Sequence, residues 1–198
     1  MKPAAAALAA LLVTGSCRRP AREAEQAAPS VAPREVLRGP YLLRPTFDGI
    51  TIAWHSTDGV AGRVEYGTTA VYGSVATGRA YRIPLAEGVH HEVALSGLDR
   101  VRTYHYRVVT AGGASTDSTF RVAATAGEPV RLVAFGDTRT NTAAHQMVVD
   151  AVVAAGPDVV VQTGDLVEWG LSDTDWARFF EIEKPLLRDV PCYPALGN

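Results

Sequence analysis

The chain has 198 residues, a hydrophobic fraction of 47% and a formal net charge of −2. That length allows one or two domains with real cores, and the slight acidity argues against a general nucleic-acid binder, which is usually basic. Its two cysteines exclude a disulfide framework.

Met1-Lys2 is a short positive start, and Ala4 to Val13 is an apolar run too short to span a bilayer comfortably. Residues 1–17 read as a secretory signal. Its end, Val13-Thr14-Gly15-Ser16-Cys17, resembles the bacterial lipobox, with Thr14 where leucine is usual. Two readings stay open: a lipoprotein lipidated at Cys17, or a secreted protein in which Cys17 is removed or free. Both predict export, to a membrane-anchored, periplasmic or extracellular place. The membrane is met only through that lipid anchor. Residues 18–35 carry alanine, proline and charge with no apolar period, which predicts a disordered tether.

From 36 to 124 the period is two. Ile50, Ile52 and Trp54 alternate with Thr51, Ala53 and His55, as a half-buried strand does. Further short strands are expected at Arg63 to Tyr66, His91 to Leu95, Thr103 to Val109 and Ser118 to Val122, each bounded by turn residues. No helical stretch intervenes, so an antiparallel β-sandwich is predicted. His55, His90, His91 and His105 lie here. Adjacent strand residues point to opposite faces, so His90 and His91 cannot chelate one ion. All four are read as surface or edge histidines.

Residues 123–129 are a small-residue linker, and from 128 to 198 the texture becomes continuous apolar runs. Arg131 to Phe135 reads as a strand buried on both faces. Asn141 to Ala155 is helical, with Thr142 as cap and Met147, Val148, Ala151, Val152 and Ala155 recurring at helical spacing. Asp158 to Thr163 is the next buried strand. Ser172-Asp173-Thr174-Asp175 opens an amphipathic helix carrying Trp176, Phe179, Phe180, Ile182 and Leu186. Pro191 to Leu196 begins a third strand, on which Cys192 is expected as a buried thiol. Strand, helix, strand, helix, strand with short turns predicts right-handed parallel crossovers, so the whole is a multidomain β plus α/β chain.

The chemistry sits at the strand ends, where open α/β sheets bind ligands. Asp137, Asp165 and Asn198 each follow a glycine there. If the strands are neighbours, an oxygen of Asp165 can bridge two ions, and the amide of Asn198 adds a neutral ligand. Oxygen-rich ligation suits hard or borderline divalent metals. Two close metals clamp phosphoryl oxygens and lower the pKa of a bound water, giving a hydroxide nucleophile.

Two family resemblances rest on these residues. Gly39-Pro40-Tyr41-Leu42, Ile52-Ala53-Trp54, Val64-Glu65-Tyr66-Gly67 and the stretch from His91 to Arg107 resemble a fibronectin type III module, and more narrowly the N-terminal domain of purple acid phosphatases. Phe135-Gly136-Asp137, Thr163-Gly164-Asp165-Leu166-Val167 and Ala195-Leu196-Gly197-Asn198 resemble the first three blocks of calcineurin-like metallophosphoesterases. The resemblance implies two divalent ions (Zn, Mn, Fe or Mg), with Asp137 on the first, Asp165 bridging and Asn198 on the second. It implies a phosphate-ester substrate and later histidines, none of which follows His145, so the chain is read as the first half of that domain and inactive alone.

Three positions depart from the family pattern. Arg139 stands where Asp-x-His has its histidine, and it has no lone pair to donate. It either pairs with a substrate phosphate or forms a salt bridge to a nearby carboxylate. Glu168 replaces the tyrosine of purple acid phosphatases, so a ferric site is not expected; it either binds a metal or orients a neighbour. His145 either approaches the vacant ligand position or is a surface helix residue. The rival to an enzyme is a cell-surface binding or adhesion protein with a degenerate phosphoesterase domain.

Overall fold

The structure, a computed structural model, describes residues 36–57, 59, 61–84, 86–100, 103–195 and 197. The expected signal segment, Cys17, the tether and Asn198 lie outside the described residues.

The first region is the predicted antiparallel sandwich. One sheet runs in the order β1 (Val36–Leu43), β2 (Ile50–Ser56), β6 (Val89–Leu95), β5 (Arg79–Tyr81). The other runs β4 (Ser74–Thr77), β3 (Arg63–Gly67), β7 (Thr103–Thr110), β8 (Gly113–Ala114), and β9 (Ser118–Arg121) also pairs with β7. Leu42, Ile52, Trp54, Val64, Tyr106 and Phe120 fill the space between the sheets. Strands β1, β4, β5 and β8 were not expected from the sequence. The exposed edge strand β4 has no alternating pattern to betray it.

The histidines correct the expectation of surface residues. His55, His90 and His91 are all buried, and only His105 remains partly open, paired through Nδ1 with Asp117 Oδ2 at 2.8 Å. β2 is buried along its whole length rather than on alternate residues. His91 points into the core, stacked on Trp54 at 4.8 Å with its Nε2 2.7 Å from Ser56 Oγ. His90 points outward, as alternation requires, but is enclosed by His55 (Nδ1 to Nε2 3.0 Å), the Tyr41 hydroxyl (3.3 Å) and Glu92 (Nε2 to Oε1 3.2 Å). Burial pushes His55 down to about 4, and the nearby His90 and Arg38 act in the same direction. Burial would raise the Glu92 carboxyl, but hydrogen bonds from Arg79, Arg44 and His90 outweigh it and hold it at about 2.

The second region is a three-stranded parallel sheet, β10 (Leu132–Phe135), β11 (Val159–Gln162) and β12 (Cys192–Pro194), with β11 in the middle. In register, Val133 lies beside Val160 and Val160 beside Cys192. Helices α1 (Thr142–Ala155) and α2 (Asp173–Leu187) make the crossovers. Val149, Val152, Val160, Phe179, Leu186 and Cys192 form the core beneath them. Burial pushes the Cys192 thiol up to about 12, as a buried thiol requires. The strands are not buried on both faces as expected. β10 alternates exposed and half-buried residues, and Leu132, Ala134 and Tyr193 are open. α1 and α2 cover only one face of the sheet.

α1 also differs in detail. Asn141, not Thr142, is the cap, its Oδ1 accepting from Ala144 N at 3.0 Å. The buried face is His145, Val149 and Val152, while Met147, Val148, Ala151 and Ala155 face outward. Ser172 caps α2 as expected, accepting from Asp175 N at 3.1 Å.

α2 also docks the two regions together. Tyr41 stacks on Phe180 at 5.4 Å, and Arg38 Nη2 donates to Asp173 Oδ1 at 2.6 Å. At the far end of α2, the Tyr106 hydroxyl donates to the Arg188 carbonyl at 2.6 Å, and Thr119 N donates to Asp189 Oδ1 at 2.8 Å.

Candidate metal centre

β10 and β11 are parallel and adjacent, so the segments leaving them emerge side by side. Two hydrogen bonds join these segments: Thr163 N donates to Phe135 O at 2.8 Å, and Asp137 N to Gly164 O at 3.0 Å. Asp137 and Asp165 both adopt left-handed backbone, with φ of 55° and 56°. Only a few per cent of non-glycine residues do so, and such outliers gather at functional sites. Two glycines permit the close approach. A Cβ on Gly136 would lie 2.3 Å from Thr163 Oγ1, and one on Gly197 would lie 2.0 Å from Asp165 Oδ1. The chain leaving β12 therefore passes directly against the Asp165 carboxylate.

The two carboxylates converge on one cation, and that cation is Arg139. Its Nε is 3.6 Å from Asp137 Oδ1 and its Nη2 is 3.3 Å from Asp165 Oδ2. Of the two readings left open for Arg139, the salt bridge is the one the geometry contains. Asp137 is far more exposed (79%) than Asp165 (21%). Among the described residues, no three or more His, Cys, Asp or Glu side chains are grouped to hold a metal ion. The fit of a divalent ion therefore rests on the convergence itself. Two acidic oxygen donors on neighbouring strand ends already share one positive group, which is the donor chemistry a hard cation requires.

The other candidates fall around a small hollow of about 20 Å³ lined by Thr138, Arg139, His145, Glu168 and neighbours. Glu168 is exposed on its rim. His145 is not the surface residue of one expectation: only 4% of it is accessible. Its Nε2 turns away to Glu183 Oε1 at 2.7 Å, so that nitrogen is committed to a carboxylate rather than to the open ligand position. Gln162 Nε2 donates to the same Glu183 oxygen at 2.8 Å, and Cys192 Sγ donates to Gln162 Oε1 at 3.4 Å. Glu183 is fully buried, and its Oε2 has no hydrogen-bond partner. Sequence reasoning missed this network. The spacing of His145 with Val149 and Val152, one face of a helix, was the available signal.

Comparison with known proteins agrees with this fold. Residues 42–122 match the family model "Purple acid Phosphatase, N-terminal domain", and residues 130–198 match "Calcineurin-like phosphoesterase". Among solved structures, the chain is similar to the purple acid phosphatase PPD1 from yellow lupin (Lupinus luteus) seeds, at 22% identity and a TM-score of 0.65 over 80% of this chain and 34% of that one. It is also similar to PhoD, at 15% identity and a TM-score of 0.61 over 86% of this chain and 40% of the other. These likenesses show the fold. The chain spans well under half the length of either structure. No curated protein sequence matches. The chain thus matches the purple acid phosphatase N-terminal domain family over its first region and the calcineurin-like phosphoesterase family over its second.

Proposed function

We propose that the intact protein is an exported, metal-dependent phosphohydrolase acting on phosphate esters. The observation that carries this reading is the convergence of Asp137 and Asp165 from adjacent parallel strand ends onto one cation. Divalent ions at such a centre, two in this reading, supply the charge that clamps phosphoryl oxygens and activates water. Asp137 and Asp165 would hold the ions, and Asn198 would join them, since it follows Gly197, whose backbone lies against Asp165. The αL turns fix the backbone beneath both carboxylates before any ligand arrives. Arg139 offers its fork to the substrate phosphate once it is free of the aspartates. Export follows from residues 1–17, and a lipid on Cys17 would fix the protein to a membrane surface.

The test is hydrolysis of p-nitrophenyl phosphate with added Mn²⁺ or Zn²⁺. The complete gene product is expected to be active, its Asp165→Asn variant inactive, and the 198-residue chain inactive. Absence of metal-stimulated hydrolysis from the complete product would sink the reading. One observation favours a second reading. Arg139 occupies the place of the family's histidine and already lies against both aspartates, as it would in a binding or adhesion protein whose phosphoesterase domain is degenerate.

A further inference from the structure

We propose that Arg139 is the resident cation of this centre, holding Asp137 and Asp165 in place of a divalent ion and having to release them when that ion binds. The proposal rests on the metal-dependent reading above and adds to it a competition within the site.

Three features carry it. First, Arg139 uses Nε and Nη2, an edge of the guanidinium shaped to grip a single carboxylate or phosphate with two parallel bonds. Here that edge is divided between two carboxylates that follow different strands. That edge cannot serve them and a phosphate at once. Second, both contacts are long. At 3.6 and 3.3 Å they exceed the 2.7–2.9 Å of charge-assisted hydrogen bonds, so they are held by charge and are readily given up. Third, the aspartates are held by their own backbone. The αL turns and the Asp137 N to Gly164 O bond fix the two chain segments without Arg139. Removing the arginine takes away the positive group that touches both carboxylates, which is the charge a divalent ion would supply.

Arg139 therefore does two things in sequence. Without metal it supplies positive charge to both aspartates. With metal bound it is expelled, and its fork becomes available to phosphoryl oxygens at the same strand edge. A phosphate contact through that edge is then made only after the carboxylates are occupied.

The experiment is thermal unfolding of the 198-residue chain in EDTA and in Mn²⁺, with Mn²⁺ affinity measured by isothermal titration calorimetry. Wild type, Arg139→Gln and Arg139→Lys are compared, with Asp165→Asn to locate the binding. Arg139→Gln should melt lower than wild type in EDTA, regain that loss in Mn²⁺, and bind Mn²⁺ about tenfold more tightly. Arg139→Lys keeps the charge but cannot span both carboxylates, and should fall between. Equal Mn²⁺ affinities for wild type and both variants overturn the proposal while leaving the metal-dependent reading intact. If Arg139→Gln melts lower and Mn²⁺ does not restore it, the arginine is a structural salt bridge only, and the proposal fails. If no variant binds Mn²⁺, the metal-dependent reading of this half-site fails and the proposal with it. Should Arg139→Gln not fold, Arg139→Lys against wild type carries the same comparison.

Discussion

Replacing His145 with alanine should be the most damaging single change in the second region. His145 Nε2 and Gln162 Nε2 both serve one oxygen of Glu183, a side chain with no solvent access. Removing the imidazole leaves that oxygen with one donor in a site closed to solvent. Leaving a buried acceptor short of a donor costs about 1–3 kcal/mol, and the emptied space between α1 and α2 brings the total to about 3–5 kcal/mol. At the lower figure, a chain of this size should lose about 6–12 °C in Tm. Glu183→Ala removes the acceptor instead and strands His145 and Gln162. Each single variant breaks the same bond, so the double variant should cost clearly less than the sum, with a coupling above about 1 kcal/mol. Calorimetry and denaturant titration followed by circular dichroism measure all four corners of the cycle. Additivity within about 0.5 kcal/mol would refute the reasoning, because non-interacting sites behave that way.

Two further outcomes follow from the sandwich and from the strand ends. His55 is held at about 4 when folded, against 6.5 when exposed, so the unfolded chain binds its proton first as pH falls. Its contribution to stability is whole above pH 6.5 and lost progressively down to pH 4, up to about 3 kcal/mol; His55→Gln should flatten the Tm profile across that window, and an unchanged profile would count against it. Gly136→Ala places a Cβ 2.3 Å from Thr163 Oγ1 and 3.0 Å from the Gly164 carbonyl. It should cost about 1–3 kcal/mol by overpacking and weaken Mn²⁺ binding by moving Asp137, which calorimetry and titration would report together.

Much of the second region was legible because its signals are local. Continuous apolar runs closed by Gly-Asp marked β10 and β11, and Ser172 with Asp175 marked the start of α2. What was not legible depended on neighbours. α1 is apolar nearly all round, with Met147, Val148 and Val153 competing against Val149 and Val152 for the core. The face was decided by His145 reaching Glu183 on α2, a partner 38 residues away. β2 shows alternation in its sequence, yet the loop at Glu87 and the hollow shared with Trp176 and Phe180 cover the outer side of its His55. Arg139 could be read as a departure from the family pattern. Its grip on both aspartates could not, because it exists only once β10 and β11 lie side by side. The burial of β10 was overstated because an apolar run reports hydrophobicity and not which face is covered.

The left-handed turns at Asp137 and Asp165 govern which substitutions can be interpreted. Asparagine and aspartate tolerate that backbone better than other side chains, and glycine accepts it freely. An Asp→Asn change therefore deletes a charge and leaves the turn in place. Asp→Ala or Asp→Glu alters the ligand and the cost of the turn together, so its effect mixes coordination with backbone energetics. Sequence drift meets the same filter. At these two positions an aspartate can be lost to asparagine or glycine while the fold persists, so a relative that has lost the charge can keep the shape.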